Sequence, residues 1–238
     1  KGLAAFNLSD ENKTYGTTFG QGETTDVYVE ISDDDWQAML DKPTAEEYYS
    51  ADVTVNGTTV NNVGFRTKGF SSLTSVAQSD SERYGFKIKT DKYVDNQTIN
   101  GLDMLVLNAN FSDPSYMREY LTYAASMYLG GITPYVSYSR LYINNELYGL
   151  YMTIEAYKDS FVERNTDDDN AVLYKADSEN CTLLSSDDGS GFTVEYGKDD
   201  ENSNIKSLIS VLDETTADNK DELEKILDTD SVLKSMAI

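Results

Sequence analysis

Apolar and polar positions alternate through most of the first half of the chain. Thr25 to Ile31 (TDVYVEI) repeats every second residue and predicts a strand. The next segment, SDDDWQAML, opens on Ser32 with Asp35 three residues on, the spacing of a capping box, and predicts a short helix whose Trp36 is read as core. ADVTVNGTTVNNVGFRTKG predicts a hairpin, because Asn56-Gly57 suits a type I′ turn, with the second strand running on through Lys68. YGFKIKT and DMLVLNA predict two further strands.

The period then changes. In DPSYMREYLTYAASMYLGG, residues Met117, Tyr120, Leu121, Ala124, Met127 and Tyr128 recur at three- and four-residue spacing and predict one apolar helix face. Asp113 is placed as its cap, Pro114 at the first helical position and Gly130-Gly131 as its stop. YVSYSRLYINNELYGLYMTIEAY reads as two strands joined around Asn144-Asn145, followed by a short helix near Lys158 to Arg164 and a strand at AVLYKAD. After Asn202 the pattern is helical in NIKSLISVLDE, KDELEKILD and DSVLKSMAI, the last stopping mid-pattern at Ile238. Sheet first and helices later predict an α+β fold.

Length and composition narrow the possibilities. The chain has 238 residues, enough for one large or two small domains with a substantial core. A hydrophobic content of 39% and 18 tyrosines mark a folded protein despite a formal charge of −23. No run of about 18 apolar residues is present, so no membrane span is expected. The first residue is Lys1 and no signal peptide is visible, which reads as a mature or trimmed form. Without histidine there is no Ser-His-Asp triad and no histidine-ligated zinc, and a single cysteine, Cys181, excludes an internal disulfide or thiolate cluster. Any metal would be a hard cation held by oxygen. The acidic clusters SDDDW, TDDDNA and SSDDGSG lack the spacing of an EF-hand and read as solvated turns. A surface this acidic repels phosphate backbones, so no nucleic-acid partner is expected.

One region reverses the charge. Six of the 19 cations lie between Arg66 and Lys92, among only three acidic residues. On strands, Arg66 and Lys68 share one face, as do Lys87 and Lys89. Paired strands would gather all four on one side, where like charges about 4–5 Å apart cost on the order of 1 kcal/mol per pair even in water. Something anionic should neutralise them: the protein's own carboxylates, or a ligand phosphate. Both readings stay open. GFRTKGFS is superficially similar to a Walker phosphate loop, but Phe70 stands where that loop needs lysine, and the segment is expected to join two strands. A glycine-containing turn, a strand lysine and a helix glutamate are also the parts with which protein kinases hold phosphates. Here those parts are Lys68, Gly69, Ser71 and Ser72, then Lys87 or Lys89, then Glu119, whose plainer reading is a surface charge paired with Arg118.

Several segments, in order, resemble the CotH kinase family: RTKGFSS, FKIKTD, LDMLVLNANFSDPSYMREYLTY, RLYINNELYGLYMTIEAYKDSFVER, VLYKAD and LDTDSVLKSMA, together covering roughly residues 25 to 238. The resemblance implies an atypical kinase-like fold with an antiparallel, sheet-rich small lobe carrying a capped helix, followed by the helical start of a second lobe. Residues 1–24 would be a flexible lead-in, 25–157 the small lobe and 158–238 the incomplete helical lobe. It implies a protein kinase using ATP and magnesium, in an extracellular, cell-surface or spore-coat setting, with a protein substrate or coat protein as partner. Carried over by position, Arg66, Lys68, Gly69, Ser71 and Ser72 would lie at the phosphates, with Lys87 holding them and Lys89 as its alternate. Glu119 would partner that lysine, and Glu155 would lie near the strand joining the lobes. Asn108, Asp113 and Arg118 also match the family. The catalytic and metal-holding aspartates would fall beyond Ile238, leaving this chain a fragment without catalytic residues. The rival reading is a non-enzymatic coat or surface module with tyrosine-rich faces for assembly.

Overall fold

The computed structural model describes residues 18–20, 23–177, 181–216 and 219–238. The chain divides into two compact units, Lys1–Ala124 with Thr133–Ala156, and Ala125–Ile132 with Tyr157–Ile238. Of the lead-in expected over residues 1–24, only 18–20, 23 and 24 are described. Thr18 and Phe19 are buried, and the Phe19 ring lies 5.8 Å from that of Tyr135.

The first unit is built on seven strands: β1 (Thr25–Ile31), β2 (Tyr49–Val55), β3 (Thr58–Lys68), β4 (Gly85–Lys89), β5 (Met104–Asn108), β6 (Val136–Ile143) and β7 (Glu146–Glu155). They close into a barrel in the order β1-β2-β3-β4-β5-β7-β6. All neighbours are antiparallel except the closing pair, where β1 runs parallel to β6 with Val27 opposite Leu141. This corrects the expected antiparallel, sheet-rich small lobe of kinase type; only the α+β content stands. Alternation establishes that a segment is a strand with one buried face, but it does not say which strand lies beside it.

Inward residues fill the barrel. Val27, Val29, Val53, Val55, Val63, Phe65, Phe86, Ile88, Leu105, Leu107, Leu141 and Tyr151 have almost no exposure. Phe65 and Phe86 stack at 4.9 Å, and Trp36 lies 5.9 Å from Phe86 on helix α1 (Asp33–Asp41). One end of the interior is polar: Thr25 Oγ1 and Ser139 Oγ are 3.1 Å apart, and Ser139 also bonds Thr153. Two turns have both central residues in the left-handed region, as their Asn-Gly and Asn-Asn sequences predict: Asn56 and Gly57, and Asn144 and Asn145. Helix α1 is capped as expected, Ser32 Oγ accepting from Asp35 N at 3.1 Å. Ser32→Ala should lower the stability of this unit by about 1 kcal/mol; a denaturation midpoint unchanged in the variant would show the cap to be idle.

Two further expectations are corrected. Ser71–Ala77 forms a short helix, α2, so the glycine turn at Gly69 leads into a helix and does not join two strands directly. Leu73 and Val76 bury its inner side. Helix α3 (Arg118–Tyr128) begins five residues after Asp113. Tyr116 is left-handed at φ 58, and the Asp113 carboxylate accepts from Ser115 N and Arg118 N at 3.1 and 2.9 Å. The aspartate therefore closes a turn before the helix, and Pro114 lies in that turn. At the other end Gly130 N bonds Met127 O and Gly131 N bonds Ser126 O, the double closure of a Schellman motif with Gly130 at φ 80.

The predicted face of α3 is also rotated. Tyr120 and Tyr123 pack, with Val106, on Val136, Met152 and Ile154, whereas Met117, Leu121 and Tyr128 are exposed. The stacked rings of Tyr120 and Tyr138 (5.1 Å) and the bond from Asn108 to Glu119 fix which side faces the barrel.

In the second unit, β8 (Leu173–Ala176) pairs antiparallel with β9 (Phe192–Tyr196), a strand not among those expected from the sequence. Helices α4 (Asp159–Asn165), α5 (Ser203–Glu214), α6 (Lys220–Glu224) and α7 (Thr229–Met236) complete it. Asp199 accepts from the Tyr174 hydroxyl at 2.5 Å and from Asn204 N at 2.9 Å, and so ties β8 to α5. Asp187, within one of the acidic clusters, accepts from the backbone of Thr182, Leu183 and Gly189 and organises its own loop. The Cys181 thiol donates to Gly191 O.

Candidate functional site

Strands β3 and β4 pair with Arg66 opposite Lys87, Lys68 opposite Gly85 and Lys89 opposite Gly64. Phe65, Thr67, Phe86 and Ile88 point into the barrel, so the alternating residues Arg66, Lys68, Lys87 and Lys89 all lie on its outer face. The positive charge is gathered, and internal carboxylates meet much of it. Arg66 binds Glu46 at 2.6 Å, with its guanidinium 5.0 Å from the Tyr48 ring. Lys89 lies 3.6 Å from Asp91 on a well-exposed surface, a contact of the kind worth less than about 1 kcal/mol. Lys87 is engaged as well, standing between Arg66 and Val106 in the sheet.

Lys68 differs from the others because it is drawn away from water. Its strand neighbour is Gly85, and a Cβ built on that glycine would lie 3.6 Å from Lys68 Cε. The lysine stem thus crosses β4 where a larger residue would meet it. The next residue across is Asn108 at the end of β5, since Phe86 faces Leu107. Asn108 Nδ2 donates to Glu119 in the first turn of α3, and Tyr123 OH donates to the same carboxylate at 3.4 Å.

The electrostatics follow from this placement. Burial pulls the Lys68 ammonium below its ordinary pKa, Glu119 and Glu46 oppose that, and Arg66 reinforces it. Burial likewise pushes the Glu119 carboxyl above its ordinary range, against Lys68, Tyr123 and Asn108. Each group is thus a charge only partly compensated for lost hydration. A lysine so short of hydration gains from an incoming anion.

The other expected residues fall around or away from this pair. Gly69 has φ 133, and a Cβ there would sit 2.6 Å from Ser72 Oγ; Ser71 opens α2. Phe70, between them, is 95% exposed. Glu155 lies elsewhere: it is fully buried at the end of β7, on the inward set, and accepts from Tyr135 N at 3.0 Å. Asp113 and Arg118 form a 3.5 Å ion pair in the turn before α3. Sequence reasoning passed over Gly85 and Tyr123. The glycine opening RYGFKIK was the available signal, but only the register shows what crosses it.

The family described as CotH kinase protein matches residues 65–238 of the chain. The inner spore coat protein H of Bacillus subtilis (strain 168) is 24% identical over 150 residues, covering 59% of this chain and 41% of that protein. The chain therefore spans less than half the length of that relative. No helix among the described residues is long and apolar enough to cross a membrane.

Proposed function

Because the chain belongs to the CotH kinase protein family, we propose that it carries the nucleotide-holding part of a protein kinase that moves a phosphoryl group from ATP to a protein hydroxyl. The observation that carries this reading is that Lys68, whose stem crosses Gly85, and Glu119 are both drawn out of water within reach of each other's charge. A lysine held by a helix glutamate is the means by which protein kinases fix nucleotide phosphates. Lys68 supplies the point charge, and Glu119, fixed by Asn108 and Tyr123, keeps the ammonium facing the ligand. Arg66, Lys87 and Lys89 add positive potential on the same face, against the −23 of the whole chain, and so favour a polyanion there. Gly69, Ser71 and Ser72 follow Lys68 directly and border the same place.

ATP would supply the phosphoryl group and the strongly anionic tail that this face attracts. Among the described residues no group of three or more Asp, Glu or Cys is gathered to hold a metal ion. What this chain supplies is therefore the cation, the carboxylate behind it and the turn beside them. The relative is named as a spore coat protein, and a coat or cell-surface setting with a coat protein as acceptor belongs to the same proposal.

The test is transfer of labelled γ-phosphate by the full-length parent protein, with magnesium, to itself or to coat proteins. Label on a protein hydroxyl is the expected result. A coat protein captured equally well with and without ATP, and never labelled, would favour the rival structural role that the relative's name also fits.

A further inference from the structure

A second place in the barrel unit has the character of a binding site. Between Val76 of α2, Arg83 just before β4 and the loop from Ala109 to Tyr116 lies a cavity of about 250 Å³. That is below the roughly 300–1,000 Å³ of pockets for whole drug-sized ligands, so it fits a head group or a single side chain. Asn110, only 8% exposed, lines it, and its buried Nδ2 has no hydrogen-bond acceptor among the described residues. A buried donor without a partner is costly and calls for one.

Arg83 supplies the charge. Its Nε donates to Ala109 O at 3.2 Å and one Nη2 hydrogen to Leu150 O, while the guanidinium lies 5.2 Å from the Tyr116 ring and 5.1 Å from the Tyr151 ring. No carboxylate pairs with it among the described residues. The nearest acid in the lining, Asp113, is already satisfied by Ser115 N, Ser115 Oγ, Arg118 N and the Arg118 side chain. The rest of the wall combines an apolar side, from Val76, Phe111 and Pro114, with the hydroxyl-bearing Ser81 and Ser112.

We propose that this cavity is an oxyanion site, taking the phosphoryl or carboxylate head of a small organic group between Arg83 and Asn110. The guanidinium hydrogens that Arg83 does not give to Ala109 and Leu150 can meet either head, the amide adds a neutral donor, and the apolar side of the wall receives the stem. Lys68 and Glu119 are not among its lining residues, and the proposal does not depend on the chain being a kinase.

The experiment is an NMR titration of the full chain with phenyl phosphate and with benzoate, followed at the Asn110 side-chain amide and Arg83 Nε. Saturable shifts of both signals are expected, and the tighter probe identifies the head group. Asn110→Asp tolerates the left-handed backbone (φ 53) and turns the donor into a negative charge; it should weaken binding by at least about tenfold. Arg83→Lys, which keeps the charge and loses the fork, should weaken it too, and Lys68→Gln should leave it unchanged. No saturable shift with either probe, an ordered water alone as the Asn110 partner, or affinity that follows Lys68 and ignores Asn110 would each overturn the proposal.

Discussion

Lys68→Met should weaken ATP binding more than tenfold, since a buried charged contact is worth about 1.5–3 kcal/mol. That loss should come without a loss of stability: Lys68→Met and Glu119→Gln should each leave the barrel unit at least as stable as the native chain at neutral pH. Burial disfavours the charged form of both groups in spite of their mutual attraction, so removing either charge relieves more desolvation than it gives up in attraction. A denaturation midpoint lowered in either variant at pH 7 would show that partners outweigh burial at that site, and an unchanged ATP affinity in Lys68→Met would take the lysine away from the phosphates.

The pair also fixes a pH dependence. Glu119 has a folded pKa above its ordinary 4.5, so its contribution to stability is fully present below that value and is lost as pH rises through the folded pKa. Lys68 has a folded pKa below 10.5, so its contribution grows as pH rises from the folded value toward the ordinary one. The stability difference between the native chain and Glu119→Gln should therefore change above pH 4.5, and a difference flat across that window would contradict the burial assigned to Glu119.

Phe86→Ala should have the largest effect on folding, about 3–5 kcal/mol, a large fraction of the 5–15 kcal/mol typical of a whole domain. Phe86 is fully buried and lies within 4.9 to 6.1 Å, centroid to centroid, of Phe65, Trp36, Tyr148 and Tyr151. Its removal leaves a cavity bounded by large rings on a closed sheet, which has little freedom to collapse. Trp36 is the single tryptophan and packs against this ring, so its fluorescence reports the unfolding of this unit directly. A loss under about 1.5 kcal/mol would mean that the barrel is not packed around this residue.

Much of this was legible from local pattern. The N-cap at Ser32, the turns at Asn56-Gly57 and Asn144-Asn145, and the stop at Gly130-Gly131 are set by the conformations of the residues themselves. The common face of Arg66, Lys68, Lys87 and Lys89 follows from alternation once β3 and β4 are neighbours, and adjacency in sequence made that pairing probable in advance. Helix α2 was missed because SSLTSVA is short and rich in serine, with only Leu73 and Val76 to mark an inner side. The rotation of α3 was misjudged because aromatic and aliphatic residues surround it on most sides. A hydroxyl-bearing Tyr123 that reaches Glu119 and a Tyr120 ring that stacks on Tyr138 outcompete Leu121 for the packed face.

By itself, the sequence determined most of the strands and the longer helices, several of their turns, and that cations collect on one strand face of an acidic protein, because those properties depend on residues a few positions apart. Only the tertiary structure decided that β1 closes a barrel against β6, with Asp26 and Arg140 bonded across 114 residues of chain, and that the Lys68 stem passes over Gly85. Those choices depend on which surfaces fill the interior without gaps and on which charges lose their water together. Neither quantity exists until distant segments share the same space.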